Sequence, residues 1–198
     1  MPPLEVWLGV GSTYSYLTVM RAPALAAKAG VTLDWRPFSV RAIMQEMDNI
    51  PFATKPVKAA YMWRDIERRA AGFDLPVRVP APYPLHDFDR ANRIAVAARS
   101  EGWCEDYLRE SYRLWFQEGV PAGSDDSLTR VLPACGQDIG RVLSVAGSAE
   151  TQEAYDAATD AARGRGIFGA PSFVTSDGEL FWGDDRLEEA IAWHKTAG

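Results

Sequence analysis

Val10-Gly11-Ser12-Thr13-Tyr14-Ser15-Tyr16-Leu17 decides how this chain is read. The stretch follows a short apolar run and opens a segment of helical composition. A hydroxyl at Ser12 then stands at a helix start, where unpaired backbone N–H groups and the helix dipole favour an anion such as a carboxylate, phosphate or thiolate. Ser and Thr are also preferred N-caps in any protein, so capping and anion binding both fit these residues. The second half of the argument is Gly166-Ile167-Phe168-Gly169-Ala170-Pro171-Ser172-Phe173, far away along the chain.

Working outward, Leu4 to Val10 is apolar at nearly every position, which predicts a strand buried on both faces. Tyr14 to Gly30 reads as a helix with a glycine stop, and Val31 to Phe38 as a second strand. Strand, helix, strand at this spacing is a βαβ unit with parallel strands. From Val40 to about Arg165 no strand is expected. The helical stretches there are Val40 to Met47, Lys55 to Ala71, Asp87 to Glu101, Glu105 to Phe116, Ser127 to Cys135, Asp138 to Ala146 and Ala149 to Gly164, broken by Pro and Gly clusters such as Leu75 to Pro84. Ser172 to Ser176 and Glu179 to Trp182 then flank Asp177-Gly178, a strong hairpin dipeptide, and a helix from Asp184 to His194 follows. This order is that of an α/β protein with a thioredoxin-like core, residues 1–39 and 166–198, carrying an inserted all-helical domain, residues 40–165. In that layout the Ser12 loop faces Ala170-Pro171. A proline opening an interior strand is expected to be cis, the X-Pro bond being the one where cis is cheap.

Composition narrows the partners. Against 27 Asp and Glu stand 21 Lys and Arg, a net charge of −6, which argues against nucleic acid or an anionic membrane as the main partner. The first residues lack a basic n-region, and no apolar run approaches the roughly 18 residues of a membrane span, so a cytoplasmic protein is expected. Cys104 and Cys135 form no Cys-x-x-Cys, which excludes a dithiol redox motif or a metal knuckle. His86 and His194 are isolated, with nothing local to support a catalytic pair.

Four blocks, in order and spacing, resemble the 2-hydroxychromene-2-carboxylate isomerases, with the kappa-class glutathione transferases as close relatives. They are Ser12-Thr13-Tyr14-Ser15-Tyr16-Leu17, with Thr13 in place of the usual Pro; Lys58-Ala-Ala-Tyr61-Met62-Trp-Arg-Asp65-Ile-Glu-Arg68-Arg-Ala70 with its continuation Pro80-Ala-Pro-Tyr83-Pro84; Gly166 to Phe173; and Phe181-Trp182-Gly183-Asp184-Asp185-Arg186. The resemblance implies a DsbA-like fold, glutathione as cofactor and a homodimer. It further implies that Ser12 donates a hydrogen bond to the glutathione sulfur, consistent with the fall of thiol pKa values at helix starts and beside donors. The backbone at Ala170 and Pro171 would pair with the cysteinyl amide in strand fashion. Asp184 and Asp185 match positions holding the γ-glutamyl end, although two acids before a helix are equally N-cap chemistry. Asn49 sits where the family has a polar contact to cofactor or substrate, and its loop is also simple turn chemistry. His86 stands where many relatives have Asn.

Lys58, Tyr61, Asp65 and Arg68 fall at i, i+3, i+7 and i+10, one stripe of a helix. A solvated stripe is its ordinary explanation. Placed at the cleft, Lys58, Tyr61 or Arg68 would meet a substrate carboxylate or enolate. The resulting expectation is a glutathione-dependent cis-trans isomerase for 2-hydroxychromene-2-carboxylate or a related aromatic unsaturated 2-oxo acid, working in aromatic catabolism. Two rivals remain: a kappa-like transferase or peroxidase using the same Ser12 site, and a non-catalytic thioredoxin-like binding protein.

Overall fold

Strand β1 (Leu4–Leu8) is the spine of the molecule, with Leu4, Val6, Trp7 and Leu8 all fully buried, as its apolar run predicts. The exception, Glu5, accepts from the Trp7 indole and pairs with Arg36 and Arg165. The computed structural model describes residues 2–49, 52 and 55–197. β1 lies between β2 (Leu33–Pro37), parallel to it, and β3 (Ser172–Val174), antiparallel; β4 (Leu180–Trp182) completes the sheet in the order β2-β1-β3-β4. Between β1 and β2 runs α1 (Ser15–Ala29), stopped by Gly30 at φ +71°, whose N–H turns back to the carbonyls of Ala26 and Ala27.

No strand forms between β2 and β3 among the described residues. The helices there are α2 (Val40–Glu46), α3 (Pro56–Gly72), α4 (Phe88–Glu101), α5 (Cys104–Arg113), α6 (Asp125–Ala134), α7 (Ile139–Ala146) and α8 (Ala149–Gly164). Side-chain oxygens of Ser124, Asp138 and Ser148 cap α6, α7 and α8 by accepting from the amide three residues on. This is the expected thioredoxin-like core with a helical insertion, and one buried apolar cluster runs through sheet and helices alike.

Of the boundaries that differ from expectation, three have a local reason in the contacts. β1 stops at Leu8 because the Val10 amide and carbonyl bond the Asn92 side chain instead of a neighbouring strand. The helix expected over Glu105 to Phe116 becomes a π-helical turn at Leu114–Glu118, a wider turn that buries the consecutive Leu114, Trp115 and Phe116. The last helix divides into a 3₁₀ turn, Asp184–Arg186, and α9 (Leu187–Ala197). The hairpin is as expected: Thr175 N–H bonds Glu179 O at 3.1 Å across a turn whose Gly178 sits at φ +88°. Among the described residues no helix is long and apolar enough to cross a membrane.

Candidate active site

The loop between β1 and α1 is gripped by the helical insertion. Asn92, fully buried on α4, accepts from Val10 N–H at 2.7 Å and donates to Val10 O at 2.9 Å and Phe88 O at 2.8 Å. The Tyr112 hydroxyl on α5 lies 3.0 Å from both Gly9 O and Ser12 O, so one proton serves two acceptors. Gly11 adopts φ +120° against the Phe88 ring, where a Cβ would come within 2.6 Å of Cδ2, and only glycine fits. Thr13, at the position where the resemblance has Pro, buries its hydroxyl on α3 by donating to Met62 Sδ at 2.9 Å.

Held this way, Ser12 does not cap α1. The residue preceding that helix is Tyr14, and no side chain caps it. The Ser12 hydroxyl is partly exposed and crosses to the second loop, donating to Ala170 O at 2.9 Å. The Ala170–Pro171 bond is cis, as expected, as are Val79–Pro80 and Tyr83–Pro84. The Pro171 carbonyl accepts from Gly183 N–H at 2.9 Å, which ties this loop to the end of β4. Gly169 lies so close to the Trp182 indole that a Cβ would overlap it, and Phe168 meets the same indole edge-on with centroids 4.9 Å apart. Trp182 is 54% exposed beside this loop.

The remaining expected site residues divide between surface and interior. Asp184 is only 1% exposed and is held by Thr18 at 2.9 Å, Arg21 at 3.2 Å and Arg69 at 2.6 Å. Burial raises its carboxyl above the ordinary range, against the lowering pull of the two guanidiniums and the Thr18 hydroxyl. Asp185 is exposed and has no ion pair among the described residues, which makes it the accessible carboxylate of the two. Asn49 is exposed, its amide bonded to Met44 O at 2.8 Å.

Lys58, Tyr61 and Arg68 all lie on the exposed side of α3. Lys58 has no ion pair among the described residues; Arg68 is paired with Asp65 at 2.9 Å and lies 5.7 Å from the Tyr61 ring centre. Asp65 also accepts from the Tyr14 hydroxyl at 2.9 Å, so the stripe joins α3 to the start of α1. Burial pushes the Asp65 carboxyl up, but the hydrogen bonds from Arg68 and Tyr14 prevail and hold it below the usual range.

Through Ala59 and Trp63, α3 also lines a cavity of about 660 Å³, walled further by Phe52, Tyr83, prolines of the 80–84 loop and Arg78. Trp63 neighbours Met62 in sequence and packs on Phe116, which in turn stacks on Tyr16 of α1 at 4.4 Å. Sequence reasoning did not single out Arg78, Asn92 or Tyr112. A charged residue between Val77 and Val79 in a proline-rich stretch was a usable signal for the first; for the others none existed, because their partners lie far along the chain. The cysteines have no part in the site: Cys104 is buried, and burial pushes the Cys135 thiol up to about 11. His194 is a satisfied core residue, accepting from Ser176 N–H at Nδ1 and facing Pro2 O through Nε2.

The model of the DSBA-like thioredoxin domain matches residues 3–191, so fold and site define a member of that family. A 2-hydroxychromene-2-carboxylate isomerase of Sphingobium xenophagum is 31% identical over 188 residues, covering 89% of this chain and 90% of the relative. Glutathione S-transferase kappa 2 of Caenorhabditis elegans is 25% identical, covering 94% of this chain and 88% of its own length. A solved structure of a 2-hydroxychromene-2-carboxylate isomerase superposes with a TM-score of 0.87 at 24% identity, covering 99% of this chain and 96% of the other. The chain belongs to the 2-hydroxychromene-2-carboxylate isomerase family.

Proposed function

We propose that this chain is a glutathione-dependent cis-trans isomerase acting on 2-hydroxychromene-2-carboxylate or a related aromatic unsaturated 2-oxo acid, in aromatic catabolism, as a cytoplasmic homodimer. The observation that carries the reading is the Ser12 hydroxyl donating to Ala170 O at 2.9 Å, a donor and an acceptor side by side. A bound cysteinyl tripeptide fits this pair. Ser12 has one hydroxyl proton; turned from Ala170 O to a sulfur, it stabilises the thiolate and frees the carbonyl to accept the cysteinyl N–H. Asp185, exposed on the same loop-to-helix junction, is the carboxylate for the γ-glutamyl ammonium, and Asn49 offers a further polar contact. Glutathione, when bound, supplies the nucleophile whose reversible addition to a conjugated carbon lets the double bond rotate. On the exposed side of α3, Tyr61 and Lys58 would donate to developing enolate charge, Arg68 being already paired with Asp65. The isomerase relative, which the chain matches over most of both lengths, supports this reaction over others.

The test is a melting curve with and without reduced glutathione, followed by an isomerisation assay, on wild type and Ser12→Ala. At about 100 times its dissociation constant the tripeptide adds about 2.7 kcal/mol, or about 5–11 °C in a chain this size. Ser12→Ala is expected to lose most of that shift and the turnover with it. An unshifted wild type refutes glutathione dependence. The kappa transferase relative favours one second reading, conjugation to an electrophile; net consumption of glutathione per turnover identifies it.

A further inference from the structure

The cavity beside α3 carries chemistry that the Ser12–Ala170 pair does not supply. Its walls are aromatic and proline surfaces: Tyr83 meets Phe52 edge-on at 6.5 Å and Trp63 at 6.0 Å, and Pro80, Pro82 and Pro84 complete the lining. Its volume of about 660 Å³ lies inside the range of small-molecule sites, about 300–1,000 Å³. Among the described residues one cation lines it, Arg78. Arg78 is pinned through its backbone, whose N–H bonds Phe116 O at 2.6 Å, and its side chain lies along Gly119 at the end of the π-helical turn. Its guanidinium has one polar contact, the Glu118 carbonyl at 3.5 Å, and no carboxylate partner among the described residues. Several other arginines of this acidic protein are paired with acids, Arg68 with Asp65, Arg69 with Asp184, and Arg113 and Arg130 with Glu118. Arg41, which also lacks an acid partner among the described residues, donates to Leu85 O and lies over the Phe88 ring outside the cavity lining. An aromatic chamber with one uncommitted fork-shaped donor selects a planar ring bearing a carboxylate.

From this we infer that Arg78 binds the carboxylate of the substrate, the ring lying among Phe52, Trp63 and Tyr83, and that it sets the preference for acids over neutral analogues. Arg68, expected from its helical spacing to have this role, is already paired, and Lys58 does not line the cavity. The inference rests on the isomerase reading for what the bound acid then undergoes, but the binding preference stands apart from it.

The experiment measures binding of trans-cinnamate and of uncharged trans-cinnamamide by calorimetry at pH 7, for wild type, Arg78→Gln, Arg78→Lys and Arg68→Gln. Melting curves with reduced glutathione are recorded on each. Wild type is expected to prefer cinnamate by about ten- to hundredfold, the worth of a charge-assisted pair. Arg78→Gln removes that preference while leaving cinnamamide affinity and the glutathione shift in place; Arg78→Lys restores part of it, and Arg68→Gln keeps it. Absence of a preference in wild type, its survival in Arg78→Gln, or its loss in Arg68→Gln overturns the inference. A preference that depends on Arg78 in a protein with no glutathione shift upholds it and refutes the isomerase reading, so the two failures are told apart.

Discussion

Replacing Asn92 by Ala removes three buried hydrogen bonds, two of them to the backbone of a residue with no solvent access. The Val10 N–H and C=O would both be left unpaired, at about 1–3 kcal/mol each. The Phe88 carbonyl loses less, since it lies four residues back on the same helix and keeps its helical partner. The expected cost is therefore about 2–6 kcal/mol, a fall in melting temperature on the order of 10 °C for a chain of this length. Urea unfolding gives the free energy, and amide exchange at Val10 locates it. Asn92→Asp separates hydrogen bonding from volume. Its carboxylate still accepts from Val10 N–H, but it faces two carbonyls with no proton to give. At neutral pH it should be about as destabilised as Ala, and acid should restore part of the loss as the carboxyl regains a donor. An Asn92→Ala protein within about 0.5 kcal/mol of wild type, with unchanged exchange at Val10, would refute the clamp.

Burial holds the Cys104 thiol well above its ordinary range and pushes that of Cys135 up to about 11, so neither forms appreciable thiolate at pH 7.5. Native protein should react slowly with iodoacetamide and unfolded protein fast, and Cys135→Ser should leave glutathione-dependent turnover unchanged; rapid native labelling contradicts this. The Asp65 carboxyl lies below its unfolded value, so the folded state binds its proton less tightly. Its contribution to stability is present above the unfolded pKa and is lost as pH falls through the folded one. A urea series from pH 7 to pH 2 should show a shallower acid decline in Asp65→Asn than in wild type, and parallel curves would count against the Tyr14–Asp65–Arg68 contact.

The strands and helices were legible because each is announced locally. The run from Leu4 is apolar, Gly30 and Gly102 stop helices in the left-handed region, and Asp138 and Ser148 start them, whereas the start of α6 after Ser124 lies two residues before the Ser127 expected from sequence. Asp177-Gly178 marks the hairpin for the same reason. Tertiary partners carry no such local mark. Asn92 looks like any polar residue within a helix until the fold brings it to Val10, 82 positions away, and Tyr112 meets Gly9 across 103. Asp184 and Asp185 are indistinguishable as adjacent acids before a helix, yet one is sunk among Arg21, Arg69 and Thr18 and the other faces water. Resemblance placed both at the cofactor because it matches positions, whereas burial distinguishes side chains.

The division of labour between the two parts of the chain follows from the same contacts. The sheet delivers two loop ends, Gly9–Thr13 and Gly169–Pro171, but neither is fixed by strand pairing: β1 ends at Leu8 and β3 begins at Ser172. What fixes the first loop is the insertion, through Asn92 on α4, Tyr112 on α5 and Met62 on α3. The insertion thereby positions Ser12 as well as walling a cavity. Because Tyr112 occupies Ser12 O and Gly9 O accepts the Ser12 amide, the Ser12 side chain is left as the polar group free to change partner. Its proton rests on Ala170 O, a neutral acceptor, and a thiolate is the stronger acceptor by its charge. The rigid surround and the single mobile proton are what a site needs if it is to favour an anionic sulfur without moving backbone.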